Sequence, residues 1–590
     1  MRSSPKAWPK TKIAQHVLFF AQAASEMISA RTFESWRVYT LDTVHRLSEA
    51  AEFAEEIVSG KKIDKAAFVP VMDELIWSMN SDPVVQRIAK DEFRELARQN
   101  ITNQNIFERR KTVEFLYAHL SVVYKNELET SILNFIESGN LHGIRKAGGY
   151  YLSYLLNSGY SRDRIDDCIE SSFFSGRVAR TGAGIVKKFF SNFTKVPERY
   201  EVAIGLSRDF GIFLEGLGYT VEQLSSAGKK IRECVESNKN SSDLRDFVVL
   251  EQVALDEHAA VSLANQEMSA LRAYAYLGPS GMHADWGSVC RVKSRSNRSG
   301  RDLEPPKPSL FKLFDPNGPA TGRANRARAQ AQVVKSINRN FDEESAGRIN
   351  SALTTATLAL SSGRPESQMI SLWSAIEVLL SDPFDGPRIV HYTSNLVPAV
   401  CMYHARRQFL ATNNDLKVMF RSRYTDIVEE VREISSTYKP GSSLAACLFL
   451  EEYAEERRKL LDLCDAQPIA RHRVDRLLGN YQNLECTLKT ISDHEMRVSW
   501  QANRIYRSRN LLVHAGTAPS YINQLIQNAD EYFRFLVIAV LQEAFGWETA
   551  SVDRMVHAIK TKYNVKIQKF KLMNAKGRHD LDSLKLLLSI

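Results

Sequence analysis

Along most of the chain apolar residues recur every three or four positions, the spacing that gives an α-helix one buried face. From about Lys10 to Leu277, stretches such as AEFAEEIV and LETSILNFIESG carry this pattern between short Gly, Asn and Ser turns. In the second stretch Leu128, Ile132, Leu133, Phe135 and Ile136 form a single stripe. Period-two runs are scarce. FVVLEQVAL, starting at Phe247, is the best strand candidate and reads equally well as a helix.

Between about Leu277 and Ala331 the periodicity fades into a segment rich in Gly, Pro, Ser and Arg, which marks the main boundary. Trp286, Phe311 and Phe314 are expected to anchor parts of it to a neighbouring domain. Helical spacing resumes with VVKSINRNF and continues through EESAGRINSALTTATLALSSG, SQMISLWSAIEVLLSD, a helix ending near Tyr438, LAACLFLEEYAEERRKLLDL and the long run from VDRLLGNYQ to NLLVHAG. A last apolar helix, NQLIQNADEYFRFLVIAVLQEAFG, stops at Gly546. The expectation is an all-α protein in four parts: a helical sensor or regulatory region over 1–277, a basic linker over 278–331, a helical bundle over 332–546 and a basic tail over 547–590. No internal repeat at a fixed period is present.

Bulk numbers narrow the class. The 590 residues exceed one ordinary core, and 44% hydrophobic with 25% charged residues is a soluble globular profile. The net charge of +9 is concentrated: Arg291–Arg339 holds twelve basic residues against three acidic, and Ser551–Ile590 nine against three. Such clusters serve as solvated loops or as phosphate contacts. The seven cysteines are scattered, odd in number and without a CxxC pair, which points to a reducing, cytoplasmic compartment rather than a disulfide framework or zinc ribbon. The start, MRSSPKAWPKTKIAQHVLFFAQAASEM, faintly imitates a signal peptide, but Gln15 and His16 interrupt its apolar part and an amphipathic helix is expected. No run approaches the length of a membrane span.

Candidate chemistry sits in Trp500–Gly516, WQANRIYRSRNLLVHAG. Ile505 and Leu512 can face a core while Arg504, Arg507, Arg509 and His514 gather cationic and titratable groups near a helix end. Arg509 and His514, five positions apart, lie about 140° apart on a regular helix, so they converge within one chain only if the end bends or unwinds at the Gly516 turn. Such a pair suits RNA cleavage by the substrate's own 2′-hydroxyl. Imidazole exchanges a proton near neutral pH, and a guanidinium holds two phosphate oxygens as charge builds. The products would be a 2′,3′-cyclic phosphate and a 5′-hydroxyl, with no metal or cofactor. Asn510 could donate to phosphate or cap the helix end.

Arg509, Asn510 and His514, within RNLLVH, resemble the RNxxxH motif of the HEPN superfamily, whose ribonuclease members bear an Arg, four to six residues and then a His. The helix Ser371–Asp382 is also similar to the acidic helix of ApeA-like HEPN defence proteins, with Glu377 at the matching acidic position. The resemblance covers roughly Val333 to Gly546. It implies a metal-independent endoribonuclease in which Arg509 and His514 are catalytic, Glu377 orients Arg509, Asn510 supports the site, and Arg504 and Arg507 contact RNA. A nuclease motif attached to a large non-catalytic region points to an antiviral or abortive-infection effector awaiting a phage-derived or host trigger, with transfer RNA, messenger RNA and phage transcripts all open as substrates. HEPN domains usually pair to form a composite cleft. No other histidine here has an arginine five residues before it, so a homodimer or higher assembly is expected, with no membrane partner.

Rival readings keep the same residues. Arg509 and His514 could be surface groups of an inert bundle, in a non-catalytic RNA-binding or scaffold protein that uses a HEPN dimer. A nucleotide-modifying role lacks a phosphate loop, since RTGAGIVKKFF misses the GxxxxGK[ST] spacing and reads as a helix–helix turn. DEHAAVS at Asp256 and RHRVDR around His472 lack HExxH spacing, and no metal site is expected at either.

Overall fold

The computed structural model describes residues 8–29, 32–60, 68–88, 105–175, 182–194, 196–239, 241–275, 283–294, 296–305, 323–380, 386–431, 441–573, 577 and 579–588. Phe311, Phe314, the expected helix end near Tyr438 and the first residues of RTGAGIVKKFF lie outside these. The fold is predominantly α-helical, with one small antiparallel sheet. The chain divides into two units, 1–154 with 176–186 and 309–590, and 155–175 with 187–308.

In the first unit the amino-terminal segment contributes α1 (Lys12–Ile28), α2 (Thr43–Val58), α3 (Phe68–Ser81), α4 (Ile106–Ser138) and most of α5 (Leu141–Asn157). Thr11 caps α1 by accepting from Ala14 N, and Asp42 caps α2 by accepting from Val44 N and His45 N. From Val17 to Ala24 every residue of α1 is buried, so it is a core helix rather than an amphipathic one. Phe19 meets His472 edge-on at 4.9 Å, and burial pushes the His472 imidazole down to about 3.

The second unit decides one open reading and corrects another expectation. FVVLEQVAL lies in a strand, and residues 1–277 are not wholly helical. Strands β1 (Glu198–Ser207), β2 (Val221–Gln223), β3 (Leu244–Ala254), β4 (Cys290–Ser294) and β5 (Arg301–Leu303) form a sheet in the order β2-β3-β1-β4-β5. β1 was hidden because its VAIGL core is buried on both faces and so lacks alternation. The segment read as a linker supplies β4 and β5, with Arg291 donating to Asp302 across them at 2.5 Å. Trp286 is anchored as expected, its Nε1 donating to Asn265 Oδ1 at 3.0 Å and its ring covered by Arg272 at 4.6 Å. Helices α6 (Arg208–Gly216), α7 (Lys229–Glu236) and α8 (Glu257–Ala275) cover the sheet, α8 burying Ala260, Ala264 and Met268. DEHAAVS opens α8: Asp256 accepts from Ala259 N at 2.8 Å and from Ser161 Oγ at 2.8 Å, a capping role.

The rest of the first unit is a layered bundle. Helices α9 (Arg323–Asn340), α10 (Glu343–Ser361), α11 (Pro365–Leu379) and α12 (Arg388–Cys401) are followed by α13 (His404–Phe420), α14 (Ala454–Cys464) and α15 (Pro468–Asn480). Then come α16 (Leu484–Ala515), α17 (Ile522–Glu543), α18 (Val552–Leu572) and α19 (Leu581–Leu588). One core gathers Trp373, Ile376, Tyr392, Ile505, Leu525, Leu536 and Ile559 from α11, α12, α16, α17 and α18. A neighbouring core joins α13, α14 and α15 to Phe570, Leu584 and Leu587. Residues 547–590 are therefore not a solvated tail. Met555, Ile559 and Tyr563 are buried, and Lys566 donates to the carbonyls of Met402 and Leu587 at 3.2 and 3.0 Å, with burial pulling its ammonium down to about 8. Nor does 332–546 stand apart, because α1–α4 pack within the same unit.

Gly205 in β1 has no room for a side chain: a Cβ there would lie 2.6 Å from Val235 Cγ1. Gly205→Ala should destabilise the second unit by about 1–3 kcal/mol through overpacking. Faster amide exchange confined to β1, β3 and α7 would bear this out, and unchanged protection there would refute it.

Candidate active site

The motif lies on one unbroken helix. Asn483 caps α16, its Oδ1 accepting from Cys486 N at 2.8 Å, and the helix runs 32 residues to Gly516, which takes φ 65°. A positive φ is cheap only for glycine, so the chain turns off immediately after the motif. His494, Val498, Ala502, Ile505 and Leu512 mark the buried stripe.

Arg509 enters a polar chain between two helices. Its Nη2 donates to Glu377 Oε2 on α11 at 3.1 Å, and its Nη1 to Asn510 Oδ1 at 3.1 Å. Glu377 is itself held, since Oε1 accepts from Trp373 Nε1 at 2.9 Å. Trp373 is fully buried and packs against Tyr392 at 5.8 Å and Tyr506 at 5.6 Å. The aromatic cluster thus fixes the indole, the indole fixes the carboxylate, and the carboxylate fixes the guanidinium. Arg509 retains 23% side-chain exposure, and its Nε has no partner among the described residues. The group is both oriented and reachable.

His514 stands differently. Its side chain is exposed and makes no hydrogen bond among the described residues. The expected unwinding does not occur: residues 509–515 continue the helix, because Leu511, Leu512 and Val513 contain no breaker and the left-handed turn waits until Gly516. On such a helix the two side chains point about 140° apart and do not converge within one chain.

Arg504 and Arg507, expected as RNA contacts, are engaged by carboxylates instead. Arg504, 4% exposed, donates to both oxygens of Glu49 at 2.9 and 2.7 Å and to Glu74 at 2.5 Å. Arg507 pairs with Glu49 and donates to Tyr521 Oη at 3.1 Å, while Tyr521 donates to Glu49 at 2.9 Å. Arg46 completes the cluster, pairing with Glu74 at 3.2 Å. These arginines are consumed because α2 and α3 bring two carboxylates against the α16 face that would otherwise be solvated. The partners are more than 400 positions away, and no local signal announces them. Beside this network a cleft of about 290 Å³ is lined by Glu49, Glu52, Glu56, His45, Arg507 and Tyr521, among others, an acid-rich surface that suits phosphate poorly.

Burial alone would raise the Glu49 carboxyl, but facing Arg504 and Arg507 hold it at about 2. Because the folded value lies below the unfolded one, the stabilisation is complete above about pH 4.5 and is lost as pH falls toward about 2. Glu49→Gln should therefore cost about 3–5 kcal/mol near neutrality by leaving two buried guanidiniums short of charge. It should also flatten the decline in stability across that acid window. Urea unfolding at a series of pH values measures both, and a variant with the wild-type slope would refute the assignment.

No protein-family model, curated protein or solved structure matches this chain. Among the described residues no helix is long and apolar enough to cross a membrane.

Proposed function

We propose that this chain is a HEPN-type endoribonuclease that cleaves RNA by attack of the 2′-hydroxyl on the adjacent phosphorus. Arg509 holds the non-bridging oxygens as charge develops, and His514 moves the proton, taking it from the 2′-oxygen or giving it to the departing 5′-oxygen. The 2′-oxygen–phosphorus bond forms, the phosphorus–5′-oxygen bond breaks, and a cyclic phosphate with a 5′-hydroxyl results. The observation that carries the reading is the Trp373–Glu377–Arg509–Asn510 chain, which orients a partly exposed cation on the same helix that presents the exposed His514 on a different side.

Divergence of Arg509 and His514 within one helix favours a cleft shared by two copies, in which each chain supplies groups the other cannot bring together. Contacts from α2 and α3 to α16 support a restraining role for the amino-terminal segment, as expected of a defence or abortive-infection effector whose nuclease waits for a phage-derived or host trigger. Transfer RNA and messenger RNA are the candidate substrates in a cytoplasmic setting. The second reading, a non-catalytic RNA-binding or scaffold dimer, draws on the pairing of Arg509 with Glu377, which offsets the charge a phosphate would meet.

Incubating the protein with mixed RNA and EDTA should give fragments with cyclic-phosphate and 5′-hydroxyl ends. His514→Ala should lower the rate by about 10²–10⁴-fold with the fold intact. Unchanged cleavage by that variant would sink the nuclease assignment, and RNA binding without cleavage by the wild type would select the scaffold. For the shared cleft, mixing Arg509→Ala chains with His514→Ala chains should restore part of the activity. Cleavage by a stable monomer would remove the shared cleft while leaving the chemistry.

A further inference from the structure

Away from the motif, a short turn between α1 and α2 (Glu34–Trp36) brings Glu34 against two buried histidines. His404 is the first residue of α13, and His494 lies near the middle of α16. His404 Nδ1 is 2.5 Å from Glu34 Oε1, and His494 Nε2 is 3.6 Å from the same oxygen. One donor atom from each residue falls within 4.8 Å of the others. The two imidazoles stack with centroids 3.5 Å apart at 18°. They are 4% and 6% exposed, and both Nε2 atoms are buried with no hydrogen-bond partner.

That arrangement is hard to account for as packing alone. Buried ring nitrogens almost always find a hydrogen-bond partner, yet both Nε2 atoms lack one, and the Nε2 of His494 is the nitrogen that faces Glu34. Two stacked imidazoles cannot both take protons at such a separation without strong repulsion. Neutral imidazoles beside a carboxylate are the donor set that a divalent transition metal takes. Arg407, 3.9 Å from Glu34, and Arg497 are the cations facing the cluster, and neither hydrogen-bonds either Nε2.

We infer that Glu34, His404 and His494 form a binding site for one zinc-class divalent cation, which clips the Glu34 turn to α13 and α16. Tetrahedral binding with bonds of about 2.0–2.1 Å places donor atoms about 3.3 Å apart. The Glu34–His404 contact therefore opens by under an ångström, and one ring turns out of the stack to aim its lone pair. Water fills the fourth position. His494 lies fifteen residues before Arg509, about 22 Å along the helix axis, so the cation is remote from the RNA-cleaving groups and its role is to hold segments together. This inference does not rest on the nuclease reading.

The test uses the full chain and zinc alone. Protein purified without chelators is assayed for metal by elemental analysis. It is then stripped with EDTA, dialysed, and melted with and without equimolar zinc. Expected are about one zinc per chain and a rise in Tm of several degrees on adding zinc back, with the rise abolished in His494→Ala and reduced in Glu34→Gln. Cobalt in place of zinc should give the intense visible bands of a four-coordinate site in the wild type, a readout independent of whether either variant folds. Metal-free protein with no shift and no cobalt spectrum overturns the inference, as does an equal shift in wild type and variants.

Discussion

The pairing of Arg504 with Glu49 and Glu74 is the constraint on which the first unit depends. Two carboxylates are buried with Arg46 and Arg504 and with the partly exposed Arg507, each charge facing an opposite one. Removing any one member strands the rest in a medium that solvates them poorly, so the segment carrying α2 and α3 and the helix carrying the motif are interlocked rather than adjacent. The ring contact between Trp77 and Trp500 at 5.8 Å and the Thr40–Gln501 hydrogen bond at 2.8 Å extend the same seam. Apolar burial makes the interface favourable; the charges fix which residue meets which.

This seam separates what could be read locally from what could not. Helical periodicity was legible because each buried face repeats within a turn or two. So was the grouping of Arg509, Asn510 and His514, which needs only the chain's own order, and the three share one helix. Trp373 shares a face with Glu377 through its i to i+4 spacing, so the indole–carboxylate contact was in principle readable too. Whether Arg504 and Arg507 face solvent was not, because the answer lies in Glu49 and Glu74, hundreds of residues upstream. A cationic stripe beside a motif reads as a ligand contact until the opposing carboxylates are known.

Other departures share that origin. β1 was obscured because helices cover both faces of its sheet and erase alternation, and β4 and β5 because a Gly- and Ser-rich run can still hydrogen-bond as short strands at one side of a sheet. The basic carboxyl-terminal stretch was misleading as a count. Lys566 is capped by two carbonyls, Lys562 is 2.6 Å from Glu543, and the helix that carries both presents Met555, Ile559 and Tyr563 inward. Composition describes how many charges there are, whereas periodicity decides which of them reach water.

Because α16 runs unbroken from Leu484 to Ala515, the groups along it are locked in phase as well as in distance. One added or deleted residue between Arg504 and Arg509 would turn everything beyond it by about 100° and shift it by about 1.5 Å. The ion-paired face and the face presenting Arg509 would then no longer be offset as they are. The five-residue step from Arg504 to Arg509 therefore works like the cut of a key: the anchoring end sets the angle at which the far end is offered to whatever it meets.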